Sequence, residues 1–229
     1  MNLLAIETST EACSVALWMR GHVIERREIA PRRHAELVLP MAESLLAEAG
    51  ITRRALDGVA VGRGPGAFTG VRLAISVAQG IALGLDLPVV PVSSLAALAL
   101  DAPDDGKAVL ALIDARMGEI YAGAFRHDRT RVIVALNDET VGPAALLEVP
   151  RQQEFNVIGS GWDSYAPAVL TRLPRAPVWA EGARWPQAAA VARIAALEFN
   201  AGRGVAAELA LPVYLRDKVA LTLGEQRAR

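Results

Sequence analysis

Leu3-Leu4-Ala5-Ile6 is a continuous apolar run that stops at Glu7-Thr8-Ser9-Thr10, the pattern of a buried strand ended by a polar turn. Cys13 to Trp18 and Val23 to Ile29, separated by Arg20-Gly21, extend it into an antiparallel meander. Pro31-Arg32-Arg33-His34 breaks the extended pattern. Leu37, Val38, Met41, Leu45 and Leu46 then predict a helix closed by Gly50, with Pro40 read as a kink within it. Val59 to Val61 predicts a further strand, followed by a glycine loop and a long apolar helix. The strand Val89-Val90-Pro91-Val92 and a short helix from Ser94 to about Leu100 complete the series.

After the loop from Asp101 to Gly106 the pattern begins again. Val109 to Ile113 reads as a buried strand ending in Asp114-Ala115-Arg116, an acidic turn like the one at Glu7. Strands are predicted at Glu119 to Phe125, Arg131 to Leu136 and Phe155 to Ile158, and helices at Pro143 to Val149 and Gln187 to about Phe199. Ala166 to Pro186 reads as proline-rich coil. Two related α/β lobes of βββαβα type follow, residues 1–103 and 104–229, the second reduced. Pro212 to Asp217 is apolar enough to dock on the body, and the charged end beyond Leu223 is expected to fray.

The stretch from Gly62 to Gly84 departs from the ordinary amphipathic pattern. Between Val71 and Leu83 only Arg72, Ser76 and Gln79 are polar, so this helix lacks the polar face of a surface helix. Small residues recur four apart at Gly70, Ala74, Ala78 and Ala82, and again at Ser76, Gly80 and Gly84. Such ridges let helix axes approach closely. Glycine inside a helix costs about 1 kcal/mol against alanine, a loss that tight packing would offset. The residues alone leave two readings open: a core helix, or a docking surface. Thr69 is placed to cap the helix.

Composition narrows the class. Hydrophobic residues make up 52% of 229 and charged ones 21%, with a net charge of −1, which predicts a well-packed fold. Near-neutrality argues against wrapping nucleic acid unaided, because that requires a basic surface. Cys13 is the single cysteine, so neither an internal disulfide nor a thiolate zinc cluster is available. No signal-peptide pattern and no run of uninterrupted apolar residues long enough for a membrane span is found, and a cytoplasmic, membrane-free protein is expected.

Candidate chemistry is sparse. His22, His34 and His127 are isolated, with no pair of ligands on one helical face, which disfavours a metal site. Glu7 and Asp114 sit at the turns that would face nucleotide phosphate and magnesium in a two-lobed cleft. However, Thr8-Ser9-Thr10-Glu11 is bulky and acidic where a phosphate-facing glycine is needed, and no Gly-Lys-Ser/Thr follows the loop at 62–70. Turn formation is the favoured reading of both acids, with weak nucleotide binding left open. No serine lies in a Gly-x-Ser-x-Gly elbow.

Several blocks resemble the TsaB family, also called YeaZ: Leu4 to Thr10 with Cys13 to Leu17, Gly62 to Arg72, Ser93-Ser94-Leu95, Ile113 to Tyr121, and Tyr214 to Asp217. The resemblance spans the whole chain. It implies the two-lobed actin-like ATPase superfamily fold and a part in making N6-threonylcarbamoyladenosine beside the tRNA anticodon. In that family's pathway a separate enzyme builds threonylcarbamoyl-adenylate, the related subunit TsaD transfers the group to tRNA, and the small ATPase TsaE joins. TsaB is its non-catalytic partner, reaching tRNA through the complex.

One departure fits that division. TsaD-like chains carry His-His-x-Glu-Gly-His after the strand that follows the glycine helix, and two of those histidines hold a metal. Here Ser94 and Leu98 stand at the ligand positions, and neither offers an imidazole donor. The resemblance further implies that two helices build a bundle with TsaD, or with a second copy when TsaD is absent. The corresponding contacts are Leu37, Met41 and Leu45 on the first helix and Val71, Arg72, Ile75, Ala78, Gln79 and Leu83 on the second. No catalytic residue, metal ligand or cofactor site is assigned, and nucleotide at a subunit interface stays open. The competing readings are a metallopeptidase of the M22 kind and a small-molecule kinase of the same fold.

Overall fold

The apolar strands that open the two halves become the centres of two sheets. A computed structural model describes residues 1–128, 133–152 and 154–216. In the first sheet β1 (Asn2–Glu7) pairs antiparallel with β2 (Ala12–Met19), and β2 with β3 (His22–Ile29). After α1 (His34–Glu48), β4 (Gly58–Gly62) joins β1 in parallel. After α2 (Phe68–Leu85), β5 (Val89–Val92) joins β4, giving the order β3-β2-β1-β4-β5.

The second sheet repeats this plan. After α3 (Ser94–Ala99), β6 (Ala108–Arg116) pairs antiparallel with β7 (Glu119–His127), and β7 with β8 (Ile133–Ala135) and β9 (Thr140–Pro143). β10 (Phe155–Ile158) adds to β6 in parallel, α4 (Ser160–Leu170) follows, and β11 (Trp179–Glu181) adds to β10. The order β8-β7-β6-β10-β11 is that of the first sheet, and the missing counterpart of α1 is the reduction.

Alternation along β1 shows why its run is uninterrupted. Leu4 and Ile6 face α1 and α2, whereas Leu3 and Ala5 face α5 (Ala188–Asn200), whose Ala188, Ala192, Ala195 and Ala196 let it lie close to the sheet. The helices trade sides. α3 follows the first sheet yet buries Leu95 and Leu98 against Val109, Ala111 and Ile113 of the second, and α5 follows the second yet packs on the first. The strands of the two sheets are separate in sequence, β5 ending at Val92 and β6 starting at Ala108, but the packing crosses between them.

Three local expectations are corrected. Pro143 to Val149 is not a helix: Gly142-Pro143 still belongs to β9, and a single 3-10 turn, Ala144–Leu146, is all that fits before Pro150. The predicted coil from Ala166 to Pro186 contains the end of α4 and β11. α4 continues through Pro167 because Tyr165 leaves helical geometry (φ −136°, ψ 22°) and lets the ring in at a kink. Thr69 is no cap, since α2 starts at Phe68 and residue 67 is the N-cap, without a side-chain acceptor. Pro40 lies inside α1, the position expected for it, and not in the first turn. The first residues of the strand expected from Arg131, together with Asp217 and the end beyond Leu223, lie outside the described residues.

Candidate functional site

α2 has two faces of different purpose. Val71, Ala74, Ile75, Ala78 and Ala82 are buried against the sheet, so the ridge of small residues that begins at Gly70 serves the protein's own core. The other ridge faces outward. Ser76, Gly80 and Gly84 are exposed, and a methyl group placed on either glycine would meet no atom within 4 Å. Among the described residues nothing uses the space those glycines leave.

That space is a groove of about 500 Å³ between α1 and α2. Leu39, Ala42 and Leu46 form one wall, Val77, Ile81 and Leu85 the other, with Leu4 and Leu56 below and Glu43 and Arg53 at the rim. Leu39 is 50% exposed although it belongs to an apolar wall. Mean hydropathy over α2 reaches 1.5 with a third of its residues buried, so its outer surface is far more apolar than water favours.

The expected contact residues fall on both sides of this division. Leu45, Val71, Ile75 and Ala78 are buried in the first core cluster and have no surface to offer, which corrects their assignment: four-residue spacing reveals a ridge but not which ridge meets the sheet. Leu37 and Met41 are half-buried, packed on the same cluster from outside. Arg72 is exposed, Leu83 is 65% exposed, and Gln79 donates through Nε2 to the Ala210 carbonyl at 3.2 Å. Sequence reasoning missed Leu39, Val77 and Ile81. The pair Gly80 and Gly84 was the available signal, because alanine would serve a buried ridge equally well.

The glycine loop has a different purpose from the groove. The β1–β2 turn lies on it so closely that added Cβ atoms would stand 1.9 Å from Glu7 Oε2 at Gly62, 2.4 Å from the Ser9 carbonyl oxygen at Gly66 and 2.0 Å from the Thr8 carbonyl oxygen at Gly70. The Ala67 N–H donates to the Ser9 carbonyl at 2.7 Å, and the Thr8 hydroxyl donates to the Gly70 carbonyl at 2.7 Å. These glycines fasten the turn to the helix.

Glu7 is sealed beneath that contact. Its carboxylate accepts from the Ser9 N–H at 2.6 Å and the Ser94 hydroxyl at 2.7 Å, and it is fully buried. Burial pushes the carboxyl above the usual carboxylate range, and the hydrogen bonds from Ser9 and Ser94 offset part of that rise. Ser94, at one position where the family resemblance places a metal ligand, therefore braces Glu7, and Leu98, at the other, is core. Asp114 accepts from the Arg116 N–H at 2.7 Å, Arg116 Nη1 at 3.0 Å and the Tyr165 hydroxyl at 3.2 Å. Both acids are occupied by their own neighbours on either side of an 840 Å³ cleft, across which Glu11 and Arg116 pair at 2.5 Å. Among the described residues no cluster of three or more histidine, cysteine or acidic side chains could hold a metal.

Glu7 gives a pH-dependent expectation. A folded-state pKa raised above the unfolded one stabilises the fold below the unfolded value and loses that contribution as pH rises through the folded value. Burial also raises Glu25 and Asp101, so stability should decline as pH climbs above the ordinary carboxylate range. Linkage permits up to about 1.4 kcal/mol per pH unit for each group. Glu7→Gln keeps an acceptor for the Ser9 N–H and offers Ser94 an amide N–H, so that the Ser94 hydroxyl accepts where it had donated. Thermal unfolding from pH 5 to 8 should show this variant with a flatter profile and a higher midpoint than the parent at the alkaline end (pH values set by the range in which these carboxyls titrate, about 4 and above). A lower midpoint throughout would show that the charged form is the one the fold prefers.

Comparison with known proteins places this arrangement. A family model for TsaD, tRNA N6-adenosine threonylcarbamoyltransferase, matches residues 22–220. The chain is 39% identical over 225 residues to the tRNA threonylcarbamoyladenosine biosynthesis protein TsaB of Escherichia coli (strain K12), covering 96% of each. Identity to the Haemophilus influenzae protein of the same name is 34% over 229 residues, with 96% of this chain and 95% of the relative covered. Among solved structures, YeaZ from Pseudomonas aeruginosa matches with a TM-score of 0.86 at 43% identity over 93% of this chain and 99% of that one. A second, with the same score and identity over 94% and 99%, is described as an uncharacterized protein with similarity to peptidase YeaZ from the same organism.

Proposed function

Since the chain belongs to the TsaB family of tRNA threonylcarbamoyladenosine biosynthesis proteins, we propose that it is the non-catalytic scaffold that binds and activates a TsaD-type transferase through the groove between α1 and α2. The observation that carries this reading is the pair of outward glycines. Gly80 and Gly84 together cost α2 about 2 kcal/mol of helix propensity against alanine, and among the described residues nothing packs against them. A helix or loop of another subunit laid along that ridge would make the contacts that offset the loss.

The division of labour follows from the other half of the structure. Ser94 and Leu98, in place of imidazoles, are committed to bracing Glu7 and filling the core, which supports a chain that positions rather than transfers. The TsaE-type ATPase joins the same assembly, tRNA is reached through it, and the complex works in the cytoplasm. Free of its partner, the chain pairs with a second copy over the same face. With the lobes taken as residues 1–103 and 104–229, their described parts, with α3 and α5 traded between them, form the backing of the groove. A peptidase reading, suggested by the wording attached to one structural relative, has no ligand set among the described residues to support it.

Reconstitution tests the proposal. The chain, TsaD, TsaE, threonylcarbamoyl-adenylate and tRNA are combined, and modified adenosine is measured with each component omitted in turn. Modification should require TsaD absolutely and fall at least about tenfold without this chain (a loss of some 1.4 kcal/mol in transition-state stabilisation). Modification by this chain alone, or full TsaD activity without it, would refute the scaffold role.

A further inference from the structure

We propose that Arg72 is the charged anchor of the docking surface and receives a carboxylate from the TsaD-type subunit, an inference that rests on the docking reading above. Phe68 and Arg72 stand one turn apart at the start of α2. The guanidinium carbon lies 3.4 Å from the Phe68 ring centroid and 5.2 Å from that of Tyr214, and Nε donates to the Tyr214 hydroxyl at 2.5 Å. The two rings are 5.8 Å apart. Tyr214 is itself tied down. The neighbouring Val213 N–H donates to the Arg63 carbonyl at 2.9 Å, and Arg216 Nη2 donates to the Ala115 carbonyl at 3.1 Å while pairing with Glu119.

A guanidinium held in this way has lost its conformational freedom before any partner arrives, so less entropy is spent on binding. The Phe68 ring covers one face and the Tyr214 hydroxyl takes Nε, which leaves the Nη edge for a planar, two-oxygen acceptor. Counter-charge is supplied to the cations around it: Arg63 meets Glu139 at 3.7 Å, Arg116 meets Glu11 and Asp114, and Arg216 meets Glu119. Among the described residues Arg72 makes no ion pair.

The surroundings match the anatomy of a protein interface. Phe68 is 46% exposed and Tyr214 47%, while Leu209 at 62% and Leu211 at 61% flank the Ala210 that α2 holds through Gln79. An arginine and a tyrosine within an exposed apolar band is the composition of a binding hot spot. A tRNA phosphate offers similar oxygens, but a phosphate backbone is held by several unpaired cations, and here Arg63, Arg116 and Arg216 are already neutralised by this chain's own acids. Arg32 at the same cleft also makes no ion pair among the described residues, but two such cations are fewer than a phosphate backbone engages, and a protein carboxylate suits the Nη edge of Arg72.

Calorimetric titration of TsaD with the full chain tests this at low and high salt. Arg72→Gln should weaken binding by about tenfold or more at low salt, with the gap narrowing as salt rises. Arg72→Lys should recover only part of the loss, because an ammonium cannot make the two-pronged contact, and Tyr214→Phe should fall between parent and Arg72→Gln. Thermal midpoints of all three should match the parent. Undiminished affinity in Arg72→Gln, when Gly80→Leu abolishes binding, would leave the docking surface standing and overturn the anchor. Undiminished affinity in both would refute the docking reading, and the anchor with it. If Arg72→Gln instead reduced tRNA binding by the isolated chain and spared TsaD, the acceptor would be phosphate and the proposal would be wrong.

Discussion

Gly70→Ala is expected to cripple the fold. The added methyl would stand 2.0 Å from the Thr8 carbonyl oxygen, a backbone atom with no rotamer by which to withdraw. The Thr8 hydroxyl bond to the Gly70 carbonyl pins the two segments at that spot, and the neighbouring turn closes over Glu7, whose two hydrogen bonds depend on its position. Overpacking against backbone costs about 3 kcal/mol or more, which outweighs the roughly 1 kcal/mol that alanine returns to a helix. For a chain of this size the net loss of about 2 kcal/mol should lower the midpoint of thermal unfolding by about 4–8 °C. A midpoint equal to the parent's would mean that the turn moves away from the helix at no cost.

Gly80→Leu is expected to have the opposite profile. Here the side chain enters open space, so the isolated protein should be as stable as the parent or more so, leucine being close to 1 kcal/mol better than glycine inside a helix. The same side chain would fill the groove of about 500 Å³ and stand between α1 and α2 where a partner must come close. Affinity for TsaD should drop by about a hundredfold or more, some 2.7 kcal/mol, and tRNA modification in the reconstituted mixture should drop with it. Retained affinity in a folded variant would place the interface elsewhere.

The contrast between these two glycines marks how far the sequence could be read. The duplicated plan was legible because each half opens with an apolar run and an acidic turn, a local pattern that survives in both sheets. The exchange of α3 and α5 was not, because which sheet an alanine-rich helix covers is decided by packing between segments far apart in the chain. α4 and β11 were hidden by Pro167, which marks a kink at Tyr165 rather than the end of a helix. The brace between Glu7 and Ser94 joins residues that no spacing rule connects.

α2 stood out for its missing polar face, and Arg72, Gln79 and Leu83 do lie outside the core. Ala78 and Ile75 do not, because periodicity gives the angle between residues and not the direction of the sheet. Glycine was the better guide. Where a ridge is buried against a sheet, alanine is the cheaper small residue, as Ala74, Ala78 and Ala82 illustrate. Glycine stands at Gly80 and Gly84, where the described residues place nothing against it.

The most direct test of the groove is therefore the double variant Gly80→Ala, Gly84→Ala, with unfolding midpoint and TsaD affinity measured on the same preparation. The account predicts opposite signs: a midpoint raised by about 4–8 °C, from roughly 2 kcal/mol of helix propensity, and a complex weakened by about tenfold. A raised midpoint with TsaD bound as tightly as by the parent would show that those glycines serve no partner, and the central claim would fail.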